Sequence, residues 1–110
     1  MSRSPSSRCQ PVPAELLQAV ALLERRWQLA VLYAAHTGAT RFGEFAEVVQ
    51  GISPRMLSER LRELERAGLL ERTVLPTSPP SVEYRLTRKG LRLRPLIEAI
   101  RVYARAAPGG

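Results

Sequence analysis

Cysteine and histidine are almost missing from this chain of 110 residues: Cys9 and His36 each stand alone. One thiol excludes an internal disulfide, and the pair excludes any cysteine–histidine cluster around a metal. A lone histidine also removes most nucleophile–base schemes, and no glycine-rich phosphate loop takes their place. No cofactor and no enzymatic activity is expected. Aromatic residues are few as well. Trp27, Tyr33, Phe42, Phe45, Tyr84 and Tyr103 are scattered along the chain, which argues against a stacking platform for single-stranded nucleic acid. Apolar runs stop after a few residues, as in Leu29–Tyr33, so none spans a bilayer. Met1–Pro13 lacks the apolar core of a secretion signal. The expectation is a cytoplasmic protein with no membrane partner.

What the chain has in excess is positive charge. Seventeen basic residues against ten acidic ones leave +7, and every basic residue except Lys89 is arginine. Such an excess favours a polyanionic partner, because each phosphate neutralised by a guanidinium releases a condensed counterion. Apolar residues make up 45%, enough for one compact core of the kind often shared with a second copy.

Residues 1–13, rich in Ser, Pro and Arg, read as a flexible tail. Residues 14–106 read as one domain, with 107–110 as a second tail. From Ala14 the chain turns helical: Leu16, Val20, Leu23, Trp27, Ala30 or Val31, and Ala34 recur at spacings of three and four. That pattern fits one long helix or two meeting near Glu24–Arg26. A further helix carries Phe42, Phe45 and Val48 or Val49 on one side, with Thr40 as N-cap and Glu44 in its first turn. Gln50-Gly51-Ile52 ends it. Ser53–Pro54 then gives a start signal, a hydroxyl cap before a proline whose missing N–H is not needed.

The helix that follows runs to Ala67, with Gly68 as its stop. Leu57, Leu61 and Leu64 form its buried stripe. Arg55, Glu59, Arg62 and Arg66 share the opposite face, with Ser58 beside them. Leu69–Leu75 and Val82–Leu86 read as strands joined by a protruding loop, with Val82, Tyr84 and Leu86 inward and Glu83 and Arg85 outward. Thr87 starts a last helix to about Ala106, kinked at Pro95. Its apolar face of Leu93, Leu96, Ile97, Ile100, Tyr103 and Ala104, with Leu91 and Val102 nearly opposite, is wider than one chain can cover.

The fold class is therefore mainly α with a small β-hairpin: a winged helix-turn-helix domain with an added C-terminal dimerisation helix. In that architecture residues 53–67 form the recognition helix in the major groove, and residues 70–86 form a wing on the backbone or minor groove. The rival reading is a winged helix used as a protein–protein interaction module without operator binding. The arginine stripe argues against it.

Several separated motifs also resemble one family. Arg26-Trp27, Arg41-Phe42 with Glu44-Phe45, Gly51-Ile52-Ser53, Met56–Leu64, Gly68-Leu69-Leu70-Glu71-Arg72, and Val82–Thr87 with Gly90 are similar to the HxlR-type winged helix-turn-helix regulators, over about residues 14–105. The resemblance implies a dimeric bacterial regulator of MarR-like architecture that binds near-palindromic operators, and it is read as a repressor. Two places depart from the family pattern. Glu24-Arg25-Arg26 stands where a glycine-containing turn is usual. The expected Cys-Pro pair would fall near Ala14, whereas Cys9 lies earlier and precedes Gln10.

Roles follow from these placements. Pro54, Arg55, Ser58, Glu59 and Arg62 are the base-reading candidates, Arg55 through the planar fork that bonds guanine O6 and N7 together. Pro54 and Met56 can meet thymine methyls. Glu59 either pairs along the helix or accepts from a cytosine amine. Arg41, Ser53, Arg66, Arg72, Thr77, Ser78, Ser81 and Arg85 are the phosphate and wing candidates, Arg41 together with the free N–H groups of the helix it precedes. Leu16, Leu17 and Val20 should meet Leu93, Leu96, Ile97, Ile100 and Tyr103 across a dimer. Trp27, Phe42 and Phe45 read as core, and His36 as a helix-end residue. Cys9, beside Arg8, is either an accessible redox thiol or incidental. A small-molecule effector is compatible with the chain, but no convergent polar group in the sequence marks its pocket.

Overall fold

The computed structural model describes residues 10–21 and 23–106; Cys9 and both chain ends lie outside them. The first helical stretch is two helices, α1 (Ala14–Ala21) and α2 (Gln28–His36). They are separated at Trp27, which takes a left-handed φ of 73° without being glycine. Such a conformation costs a non-glycine residue of order 1–3 kcal/mol and is held only by surrounding packing. Trp27 is half-buried and packs against the core. Helix α2 is buried on several sides through Gln28, Val31, Leu32, Ala34 and Ala35. At its end, burial and the charge of Arg94 lower the His36 pKa from its ordinary 6.5, which favours the neutral ring.

Helices α3 (Phe42–Val48) and α4 (Pro54–Arg66) follow. The cap of α3 corrects the expectation: Arg41, not Thr40, is the N-cap residue. The Glu44 carboxylate accepts the backbone N–H groups of Thr40 (2.8 Å) and Arg41 (3.1 Å), and the Thr40 hydroxyl at 3.2 Å. These donors, the backbone ones first, hold the Glu44 pKa below its ordinary value. Phe45 is fully buried and meets Tyr84 edge-on at 6.4 Å. Phe42, expected in the core, is 38% exposed at the first position of α3.

Helix α4 follows its local signals. The Ser53 hydroxyl accepts the Met56 N–H at 3.1 Å, and Pro54 occupies the first turn. At the other end Gly68 takes φ +77°. Its N–H reaches the Glu65 carbonyl and that of Leu69 reaches Leu64, both at 2.9 Å, the paired bonds of a Schellman stop. The Thr87 hydroxyl and the Lys89 ammonium (3.0 Å) donate to the carbonyls of Gly68 and Ala67. Leu57, Leu61 and Leu64 are fully buried.

Strands β1 (Leu70–Leu75) and β2 (Ser81–Leu86) pair antiparallel, Leu70 opposite Leu86 and Leu75 opposite Ser81. The expected alternation in β2 is overturned: Glu83 is buried, while Val82, Tyr84 and Leu86 are only half-buried. The reason is a crossing partner. The Tyr84 N–H donates to the Thr40 carbonyl at 2.7 Å, which brings β2 against the start of α3, where Arg41 meets the Glu83 carboxylate at 3.7 Å.

The last helix is also in two pieces, α5 (Arg88–Leu91) and α6 (Arg94–Ala106). Pro95 does not kink one helix. It lies in the first turn of the second, where a missing N–H is harmless. No helix among the described residues is long and apolar enough to cross a membrane.

Candidate nucleic-acid interface

The outward face of α4 gathers the base-reading candidates. Ser53, Pro54, Arg55, Arg62 and Arg66 are exposed, and Ser58 and Glu59 half-exposed. The Arg55 side chain is 92% exposed, held among the described residues only by Glu59, with its Nε 3.7 Å from a carboxylate oxygen. An exposed i,i+4 pair of this kind contributes a few tenths of a kcal/mol, so the guanidinium is at liberty to meet a ligand.

Sequence reading missed Arg60. It is 3% exposed, on the core side of α4 between Leu57 and Leu64, with Glu59 at 3.7 Å and Glu63 at 3.3 Å. Glu63 in turn holds Arg25 at 3.0 Å. The helical spacing 57, 60, 64 carried the signal, and the Glu63 three residues on gave its partner. One continuous chain of ion pairs thus runs from the α1–α2 connection to Arg55.

The remaining candidates divide in two. Arg41 and Arg85 converge on Glu83, at 3.7 and 3.0 Å, and form a cluster at the root of the hairpin. Both keep more than half of their side chains exposed. The Glu44 carboxylate accepts the N–H groups of Thr40 and Arg41 just before α3, so a negative charge lies beside the exposed Arg41 side chain. Arg72 is exposed on β1, and Thr77 and Ser78 are exposed at the tip, with Ser81 half-buried. The Thr77 hydroxyl donates to the Pro79 carbonyl at 2.7 Å and lies 3.3 Å from the Ser81 hydroxyl, so the tip is tied to itself.

The expected dimerisation residues are mostly open. Leu16, Leu17, Leu96 and Ile100 are exposed, Tyr103 is 73% exposed, and Val20 and Leu93 are half-buried. Ile97 is the correction. It is buried in the core of its own chain, 4% exposed.

Residues 22–107 match the HxlR-like helix-turn-helix family. The HTH-type transcriptional regulator YodB of Bacillus subtilis (strain 168) is 40% identical over 86 residues, 78% of this chain and 77% of that protein. The HTH-type regulator YvaP of the same organism is 39% identical over 87 residues, covering 79% and 81%. Among solved structures, reduced YodB superposes with a TM-score of 0.75 at 36% identity, over 86% of this chain and 92% of that one. The redox regulator HypR in its oxidised form superposes with a TM-score of 0.80 at 30% identity, over 88% and 100%.

Proposed function

The chain belongs to the HxlR-like helix-turn-helix family of transcription regulators, and on that premise we propose that it is a homodimeric repressor that binds near-palindromic operator DNA. The observation that carries the reading is the outward face of α4, where Arg55, Arg62 and Arg66 stand exposed around the half-exposed Glu59. Pro54, Arg55, Ser58, Glu59 and Arg62 face base edges. Arg66, Arg72, Arg41 and Arg85 meet phosphates, with Ser53, Thr77, Ser78 and Ser81 as neutral backbone contacts. Leu16, Leu17 and Val20 of α1 pack on Leu93, Leu96, Ile100 and Tyr103 of a second copy, which places two recognition helices on successive turns of one duplex. The protein works in the cytoplasm, and covering a promoter reduces its transcription.

Fluorescence anisotropy against duplex DNA from upstream of the chain's own gene tests this. Affinity should fall steeply, by orders of magnitude between about 50 and 200 mM salt, and titration should end at two chains per duplex. A folded protein that ignores duplex at low salt, or binds one chain per duplex, contradicts the reading. The first result points to the partner-binding module.

A second reading concerns Cys9, and the similarity to redox regulators favours it. As the chain's one thiol, Cys9 gives an oxidant a single place to act, by a disulfide between two copies or by an adduct. A thiol oxidant should then weaken operator binding in the natural chain and leave Cys9→Ser unaffected. Equal loss in both would remove Cys9 from the account.

A further inference from the structure

On α4 a single carboxylate is divided between the inside and the outside of the domain. Glu59 turns its Oε1 toward the buried Arg60, whose Nη2 lies at 3.7 Å. It turns its Oε2 toward the exposed Arg55, whose Nε lies at 3.7 Å. The same Nη2 of Arg60 is 3.3 Å from Glu63 Oε2, an oxygen that Arg25 holds at 3.0 Å. Arg60 is thus fixed from the α1–α2 connection, and Glu59 is fixed from Arg60.

Stability alone does not account for a guanidinium at this place. Arg60 is 3% exposed, and its Nε has no hydrogen-bond partner among the described residues. An unpaired buried N–H carries a desolvation cost. Apolar side chains of similar volume commonly serve a core as well as a buried ion pair does. Glu59 and Glu63 are both half-exposed, so water would solvate either one without Arg60. What Arg60 supplies is a fixed point for Glu59.

We propose that Arg60 is a positioning residue for base reading: it anchors Glu59 from within the core, and Glu59 aims Arg55 into the major groove. This role rests on the operator binding proposed above. Arg55 is otherwise a long side chain in water, and ordering such a side chain only at the moment of binding weakens the contact. The approach of Glu59 is to Nε, at the root of the guanidinium. Both terminal nitrogens then point outward, as a bidentate contact with guanine O6 and N7 requires. Released from Arg60, the Glu59 carboxylate is free to follow Arg55 and to compete with the base for it.

Anisotropy on two duplexes tests this, the pair differing only at the base pair whose preference Arg55→Ala loses. The ratio of the two affinities is the readout, because a uniform electrostatic loss cancels in it. In Arg60→Met the ratio should fall at least about threefold, within the range for residues that share one network, while urea unfolding stays cooperative. Glu59→Gln, a change at a half-exposed side chain, should lower the ratio at the same base pair, and it decides the matter if Arg60→Met does not fold. Adding Arg60→Met to Glu59→Gln should lower the ratio no further, whereas a general disturbance of the core would add its own loss. An unaltered ratio in either folded single variant, or a further fall in the double variant, overturns the positioning role. Uniform loss in Arg55→Ala, with the natural chain still selective, also overturns that role alone. A folded natural chain without sequence preference overturns the operator reading and the positioning role together.

Discussion

Replacing Arg55 by alanine is expected to weaken binding to the preferred duplex by about 5- to 150-fold and to relax the preference at one base pair per half-site, the equivalent of 1–3 kcal/mol for a bidentate base contact. The side chain is 92% exposed and, among the described residues, paired only with Glu59 at 3.7 Å, so its removal should leave folding within about 0.5 kcal/mol of the natural chain. The loss therefore belongs to binding. Arg72→Ala makes the contrast: an exposed cation on β1, read as a phosphate contact, should cost affinity equally on every duplex and lower the salt slope by about one. Anisotropy on a set of single-base operator variants separates the two patterns. Uniform loss in Arg55→Ala would make Arg55 a backbone contact and move base reading to Arg62.

Gly90→Ala should be the most damaging small substitution for stability, at about 2–3 kcal/mol, the upper part of the range for overpacking a tight site. A methyl group there would lie 2.3 Å from the Leu69 carbonyl oxygen and 3.0 Å from Leu86 Cδ2. The oxygen cannot yield cheaply. It accepts the Thr87 N–H at 3.1 Å, and the Leu69 N–H closes the stop of α4 on Leu64. Strain at this joint pushes the recognition helix, the hairpin and α5 apart together. Gly43→Ala is the matched control: its added methyl meets nothing within 4 Å inside α3, so it should stabilise by about 0.5–1 kcal/mol. Urea unfolding of both variants reads the difference. A Gly90→Ala chain as stable as the natural one would mean that α5 does not pack on Leu69 as described.

How much of this was legible in the sequence depended on distance along the chain. Helix α4 was legible at both ends and on both faces, because Ser53–Pro54, Gly68 and the leucine spacing are local signals that tertiary packing reinforces. The hairpin and the outward arginines were legible for the same reason. Glu83 was not, because its burial comes from β2 meeting Thr40 and Arg41 some forty residues away. Arg60 sat in plain view at a core spacing, but its charge argued for the surface until Glu59 and Glu63 supplied partners. Trp27 in a left-handed conformation had no glycine to announce it; packing against the core holds it. The break before α6 replaced the expected kink because Pro95 is tolerated in a first turn.

The central claim is that α4 reads a specific duplex sequence, and selection from a pool of random duplexes tests it most directly. Repeated rounds with the natural chain and with Arg55→Ala should enrich a near-palindrome in the first case. Its half-sites should lie about one helical turn apart, and the variant should lose the preference at one position in each half. A folded natural chain that enriches nothing above the starting pool, at salt low enough for binding, would contradict the account.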